Sequence, residues 1–219
     1  MKLHHLKILA VLGCVAFLGA CATSRSVVQI EQPDTIENPA EGTEVRILEV
    51  NDNRQFQIDP PSPDIPSLAN DEIDNKSITS RAYARKRNTY GMALGDVLIP
   101  EGKTVADAIA KTVENGFQAA GYRVLTPEDP NYASAADVKV DISEFWSWIE
   151  PGWQITVHNR SDVTVSSAPE LLPTPLTVTK QSSEGMQMVL DSDWQTSAIN
   201  ALKSIREKIT EQLLALSEK

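Results

Sequence analysis

Few residue types in this chain could carry out chemistry. The 219 residues include two cysteines and three histidines, and His158 is the only one of these five that lies beyond residue 21. A serine hydrolase would need His158 as its base, because a nucleophilic serine depends on a neighbouring histidine. Neither a G-x-S-x-G segment nor a glycine-rich phosphate loop accompanies it. We therefore predict that His158 is a surface residue on the polar face of a strand, with a His158-dependent hydrolase as the alternative interpretation.

Metal-binding chemistry is equally sparse. A zinc site needs several nitrogen or sulfur ligands, and one histidine without a free cysteine does not provide them. Asp71, Glu72 and Asp74 form an acidic group, but they lack the D-x-D-x-D-G spacing of a calcium loop. This pattern favours a solvated acidic loop over a calcium site. We expect no catalytic residues, no metal and no cofactor.

The N-terminus has the pattern of an export signal. Lys2 and Lys7 give a basic start, and residues 8–20 (ILAVLGCVAFLGA) form an apolar run of 13 residues that ends in small residues. A membrane-spanning helix needs about 20 apolar residues. A basic start, a short apolar segment and small residues at the cleavage site are typical of a secretory signal peptide.

The end of that signal carries the clearest chemical motif of the chain. Leu18-Gly19-Ala20-Cys21 resembles the lipobox of bacterial lipoproteins, although glycine is less usual at its second position. The resemblance implies that residues 1–20 are removed and that the Cys21 thiol receives a diacylglyceryl group. It also implies the outer membrane, because Ala22 stands where an aspartate would favour inner-membrane retention. The alternative is an ordinary signal peptide with an incidental cysteine.

Processing would change the charge of the chain. The whole sequence has 20 basic and 30 acidic residues, a net charge of −10. Loss of residues 1–20 removes two lysines, so the mature chain has 18 basic against 30 acidic residues, a net charge of −12. Nucleic-acid binding needs a basic face that displaces counterions, so we exclude a nucleic-acid partner. Cys21 would be the only remaining thiol, which leaves no pair for a disulfide.

Hydrophobic periodicity divides the mature chain into a tether and one domain. We interpret residues 21–42 as the lipidated N-terminus and a flexible tether, and 43–219 as a single periplasmic domain. Period-two patterns predict strands at 43–50, 122–125 and 176–179, an edge-like strand at 77–87, and a hairpin of 136–149 with 153–166. Apolar stripes predict helices at 104–120 and 193–216, the first with Thr104 and Asp107 close to a capping box.

These elements predict an α+β fold. We expect a two-layer arrangement, with a mostly antiparallel sheet and the two helices packed on one face. Residues 59–70 contain four prolines and form a long loop, which indicates a functional or disordered segment. The apolar pattern of the first hairpin strand is interrupted at Glu144. A β-bulge near Glu144 would resolve that conflict.

Two groups of residues are candidates for binding a partner. Four cations, Arg81, Arg85, Lys86 and Arg87, lie within seven residues and could contact lipid phosphates, lipopolysaccharide or an acidic protein. The alternative is a charged edge strand that blocks edge-to-edge pairing. Around one hairpin tip lie Trp146, Trp148 and Trp153, which either fill the core or form a contact surface.

Several short motifs together resemble a known family. A strand runs into Asp52-Asn53-Arg54, a helix ends in Gly121-Tyr122-Arg123-Val124, and a strand reads DVKVDISEF from Asp137. With a lipidated N-terminus before these motifs, the chain is similar to the YajG-like family of bacterial lipoproteins. The resemblance covers roughly residues 43–216. The resemblance implies an envelope lipoprotein with no established reaction.

We therefore expect a non-enzymatic outer-membrane lipoprotein whose periplasmic domain is an interaction or accessory module. The membrane would be reached through the lipid anchor, and the partner would be another envelope protein. Arg54, the basic run and the tryptophans are the predicted contacts. The alternative is a carrier or accessory factor for envelope lipid or lipopolysaccharide, with a cavity between sheet and helices lined by aromatic residues and rimmed by arginines.

Overall fold

The sheet is organised around its longest strand. A computed structural model of the protein describes residues 25–30 and 36–217. Within these ranges, eight strands form one sheet. They are β1 (Ser26–Val27), β2 (Glu44–Asp52), β3 (Ala82–Arg87), β4 (Ala93–Leu98), β5 (Arg123–Val124), β6 (Ala136–Glu150), β7 (Ile155–Ser167) and β8 (Leu176–Met186). The helices are α1 (Lys76–Thr79), α2 (Val105–Ala119) and α3 (Asp191–Ser217), with a short 3₁₀ helix at Tyr132–Ser134.

Strand β6 has different neighbours on its two edges. Strand β7 pairs antiparallel with β6 along nearly its whole length, and β8 pairs antiparallel with β7. The other edge is shared, since β2 runs parallel to residues 136–142 and β3 runs parallel to β6 at Ser147. Strand β4 is antiparallel to β3, whereas β1 and β5 lie parallel to β4 and β2.

The fold is α+β, as expected, but the sheet is mixed rather than mostly antiparallel. The parallel pairing of β2 with β6 follows from helix α2, which lies between them in the chain and carries it back to the starting end of the sheet. A hydrophobic pattern reports which face of a strand is buried and contains no information about its direction. For this reason the parallel pairs were not predicted.

Strand β6 contains a bulge where its apolar pattern is interrupted. The pairing with β7 shifts register between Ile142 and Glu144. Before the shift, Val138, Val140 and Ile142 point into the core beneath the helices, and after it Phe145 does so. A one-residue slip reverses the faces of all later side chains, so Trp146 and Trp148 point to the opposite face of the sheet.

Helices α2 and α3 cover one face of the sheet. The capping box of α2 is confirmed, because Asp107 N donates to Thr104 Oγ1 and Thr104 N donates to the Asp107 carboxylate. The two helices meet closely at Gly116, where an added Cβ would lie 2.9 Å from Cγ2 of Ile209. Apolar stripes from both helices and the inner face of the sheet form one continuous core.

Part of the predicted tether belongs to the fold. Val28 N donates to Leu98 O at 2.8 Å, and the side chains of Val28 and Ile30 are buried. Further on, Asn38 exchanges two hydrogen bonds with the backbone of Val124. Residues 25–30 and Asn38, which lie in the predicted tether, therefore make ordered contacts with the domain. Strand β1 was missed because it is two residues long and shows almost no periodicity.

The region around the basic run also differs from expectation. Residues 77–87 do not form one strand, because Asn75 caps the short helix α1 by accepting from Ser77 N, and β3 begins only at Ala82. Strand β4 was not predicted. Its Gly95 has φ +153°, in the left-handed region that favours glycine.

Candidate interaction surface

Three connections of the sheet lie at one end of the molecule. Strand β6 ends at Glu150, and Ile155 at the start of β7 pairs with Met186 at the end of β8. Because β3 runs parallel to β6, the turn between Arg87 and Ala93 lies at this end as well. The connections are residues 88–92, 151–154 and 187–190. We call this the rim end of the domain.

The rim end carries a group of large apolar side chains in solvent. Among the described residues, five of the nine exposed large hydrophobic side chains are in these connections. They are Tyr90, Met92, Trp153, Met188 and Leu190, which we call the apolar rim. Trp153 is fully exposed. Single exposed apolar residues are common on soluble proteins, whereas several at one place indicate a contact surface.

Local hydrogen bonds fix two of these connections. The Asn88 side-chain oxygen accepts from Tyr90 N at 2.9 Å and from Met92 N at 3.0 Å. Gly91 has φ +83°, which this tight turn requires and which other residues rarely adopt. At the start of α3, the Asp193 carboxylate accepts from Leu190 N at 2.6 Å. The exposed side chains of Tyr90, Met92 and Leu190 are therefore carried by ordered backbone.

The N-terminal segment approaches the sheet from the same end. Strand β1 is parallel to β4, and β4 runs away from the turn at residues 88–92. Arg25 is therefore the residue of segment 25–30 that lies nearest the rim end. Arg25 contacts Glu72 and lies 2.9 Å from Asp96. Ser26 Oγ donates to the Asp191 carboxylate at 2.6 Å, which ties β1 to α3.

The four cations of the basic run, at residues 81–87, make polar contacts within the fold. Arg81 donates to Ile99 O at 2.8 Å, and Arg87 donates to Ser67 Oγ at 3.0 Å. Arg85 lies 3.5 Å from the buried Asp96, and Lys86 lies 3.5 Å from Asp191. The prediction of a cationic contact patch at Arg81, Arg85, Lys86 and Arg87 is wrong.

The alternative interpretation of the basic run, a charged edge strand, is wrong too. Strand β3 lies between β4 and β6 rather than at an edge. Next to it, burial raises the pKa of Asp96, although Arg25 and Arg85 act in the opposite direction. These charges are part of a partly buried ionic group that attaches β1 to the sheet.

Arg54 has a structural role. Its guanidinium is fully buried and contacts both carboxylate oxygens of Asp52 at 2.7 Å. It also donates to Ala82 O at 2.6 Å and to Thr79 O at 2.9 Å. The group lies where the neighbour of β6 changes from β2 to β3, and it satisfies backbone carbonyls at that point. The prediction that Arg54 contacts a partner is wrong.

Two of the three candidate tryptophans are covered. Trp146 is 1% exposed and Trp148 is 7% exposed. The Trp146 indole donates to Pro63 O at 3.1 Å, and its ring packs edge-on against Phe56. The proline-rich loop therefore lies on the sheet face opposite the helices. Contact predictions for Trp146 and Trp148 are wrong, and only Trp153 of this group lies at the surface.

The same face holds His158. Its ring stacks on Trp148 with a centroid distance of 5.1 Å, and its side chain is 13% exposed, so it is not the open surface residue that we predicted. Its Nε2 lies 3.2 Å from a Glu150 carboxylate oxygen, but neither ring nitrogen makes a hydrogen bond of suitable geometry. Among the described residues, no serine hydroxyl is hydrogen-bonded to His158.

Cys21 lies outside the described residues. Within residues 25–30 and 36–217, no group of three or more His, Cys, Asp or Glu side chains is placed to hold a metal ion. In the same part of the chain, none of the helices has the length and apolar character that a membrane crossing requires.

Comparison with known proteins gives remote likenesses. No family model matches the chain, and no curated protein matches it in sequence. Among solved structures, it is similar to protein XCC0632 from Xanthomonas campestris, of family DUF330, with 9% identity and a TM-score of 0.47 over 89% of this chain and 97% of that one. An uncharacterized protein gives 7% identity and a TM-score of 0.45, over 87% and 98% of the two chains.

A third similar structure is a minor lipoprotein from Acinetobacter baumannii. It gives 17% identity and a TM-score of 0.35 over 54% of this chain and 87% of that one. At TM-scores below 0.5, these likenesses identify neither a family nor a function. None of the three names is that of the YajG-like family, and the resemblance to it stays a prediction from the sequence.

Proposed function

We propose that the protein is a lipid-anchored, non-enzymatic accessory module of the bacterial cell envelope that makes its contacts through the apolar rim. The observation that carries this proposal is the gathering of Tyr90, Met92, Trp153, Met188 and Leu190 at one end of the domain. Tryptophan and tyrosine supply large contact areas at interaction sites, and methionine adapts to varied surfaces.

The lipid anchor rests on the sequence around Cys21. The lipobox-like LGAC segment and the short apolar run before it support processing at Cys21, and Ala22 supports the outer membrane as the destination. Two or more acyl chains give a stable attachment, since each buried CH₂ contributes roughly 0.8 kcal/mol. The resemblance to YajG-like lipoproteins, a family with no established reaction, supports a location in the envelope.

A carrier of envelope lipid or lipopolysaccharide is the second candidate function. A carrier of this design needs a cavity between the sheet and the helices. In the described residues this space holds one continuous cluster of buried apolar side chains, including Phe117, Phe145 and Trp194. Arg54, the one arginine among the buried described residues, lies elsewhere, beside Asp52. The packing therefore favours the interaction module over the carrier.

In-cell photo-crosslinking tests the proposed contact surface. A photoreactive residue would replace Tyr90 or Trp153 in the full-length protein. The matched control would be Ala133, an exposed residue of the 3₁₀ helix that precedes β6 at the opposite end. We expect discrete adducts, with lipid or with an envelope protein, from Tyr90 and Trp153 and none from Ala133. Equal adducts from all three positions, or none from the rim, would refute a contact role for the rim.

A further inference from the structure

We infer that the apolar rim contacts the surface of the membrane that holds the Cys21 anchor. The rim end of the domain then faces the bilayer. This inference rests on the proposed lipidation and names the component that the rim contacts. It follows from the length of chain before Arg25, the direction of β1 and the chemistry of the rim.

The connection between anchor and fold is short. Arg25 is held by contacts to Glu72 and Asp96, and the next residues pair with β4. Cys21 precedes Arg25 by four residues, and four residues of fully extended chain span at most about 14 Å. A 21-residue tether would have let the domain turn freely above the membrane. A four-residue connection to a docked strand keeps one part of the domain beside the bilayer.

The direction of β1 indicates which end of the domain lies beside the bilayer. Arg25 lies beside Asp96, and β1 runs away from the rim end because it is parallel to β4, so Arg25 is the residue of this segment nearest the rim. The opposite end lies at the start of β6. Strand β6 runs for 15 residues from Ala136 to Glu150, a length of roughly 45 Å at about 3.3 Å per residue. Only the rim end lies within reach of the membrane surface.

The side chains of the rim suit that position. Trp153 and Tyr90 have amphipathic rings of the kind that concentrate at the level of lipid headgroups. Met92, Met188 and Leu190 add apolar groups that water solvates poorly. The nearby acids Glu150 and Asp191 have largely exposed side chains, so attraction to anionic lipid does not drive the contact. The contact is apolar and is therefore insensitive to salt.

Depth-dependent fluorescence quenching tests this orientation. The chain from Cys21 onward has one cysteine, so a maleimide-bearing phospholipid attaches it to vesicles at that residue alone. Trp146, Trp148 and Trp194 are buried, and the difference between wild type and Trp153→Phe gives the emission of Trp153. The vesicles would be phosphatidylcholine, with and without bromine on the acyl chains near the headgroup.

We expect brominated lipid to remove most of the Trp153 emission and aqueous iodide to quench it less than in the unanchored protein. The matched control is Ala133→Trp in the Trp153→Phe background, which places the reporter at the opposite end. That reporter should stay accessible to iodide and insensitive to brominated lipid. Equal behaviour of the two reporters, or a Trp153 that iodide still quenches fully, would overturn the inference.

The vesicle experiment distinguishes a failure of this inference from a failure of the proposed function. The anchor is attached chemically, so the vesicle result does not depend on lipidation in the cell. If Trp153 stays in water on vesicles but crosslinks to a protein in cells, the rim is a protein contact and the membrane inference is wrong. If Cys21 is not lipidated in cells, the anchor is wrong whatever the vesicles show.

Discussion

Ser26 Oγ donates a 2.6 Å hydrogen bond to the carboxylate of Asp191 and so joins the first strand to the first turn of the last helix. The two residues are 165 positions apart in the sequence. This contact, with the pairing of β1 and β4, makes residues 25–30 part of the folded domain. Arg25 follows Cys21 by only four positions of sequence, and this short connection is the basis for placing the rim at the membrane.

The first prediction concerns the docking of the N-terminal segment. Ile30 is buried, whereas Val27 on the same segment is 57% exposed. Ile30→Ala should lower the free energy of unfolding by about 2 kcal/mol, because a buried aliphatic side chain is lost. Val27→Ala is the matched control and should change it by less than about 0.5 kcal/mol. Urea unfolding measures both, and two unchanged variants would mean that the segment is not docked.

The second prediction concerns Arg54. Arg54→Met removes the buried guanidinium, and the carbonyls of Thr79 and Ala82 and the Asp52 carboxylate lose their donor. The free energy of unfolding should fall by about 3 kcal/mol or more, as when one member of a buried ion pair is removed.

The control for Arg54 is an exposed ion pair. Lys139 lies 3.2 Å from Glu49, and both side chains are about half exposed. Lys139→Met should change the free energy of unfolding by less than about 1 kcal/mol. If Arg54→Met keeps full stability and instead weakens crosslinking of the domain in cells, Arg54 is a contact residue after all.

The third prediction separates two tryptophans of one hairpin. Trp146→Ala should destabilise the domain by about 3–5 kcal/mol, because it leaves a cavity and frees the proline-rich loop from its contact at Pro63. Trp153→Ala should leave the stability within about 0.5 kcal/mol, because the side chain has no buried surface to lose. Thermal unfolding distinguishes the two, and similar losses would show that the rim is part of the core.

Local patterns in the sequence predicted much of the secondary structure. The capping box at Thr104 is set by residues three positions apart, and the long hairpin by alternating apolar residues on its two strands. The interruption at Glu144 pointed to the bulge. Each of these features depends on neighbours in the chain, which is why periodicity and spacing were sufficient to find them.

The contact residues depended on distant parts of the chain. Arg54 and Arg85 are charged in the sequence like any surface arginine. The burial of Arg54 follows from carbonyls 25 or more positions away, and Arg85 is held by Asp96, 11 positions away. The covering of Trp146 depends on Pro63, which is 83 positions away. The rim was found only as Trp153, because its other members come from separate loops that the strand directions bring to one end.

The most direct test of the account is incorporation of labelled palmitate in growing cells. We expect the wild type and Cys14→Ala to take up the label and Cys21→Ala not to, because Cys14 lies in the segment that is removed. Cys21→Ala should also be lost from the outer-membrane fraction. Label retained in Cys21→Ala, or Cys21→Ala that still fractionates with the outer membrane, would contradict the anchor and the membrane position of the rim.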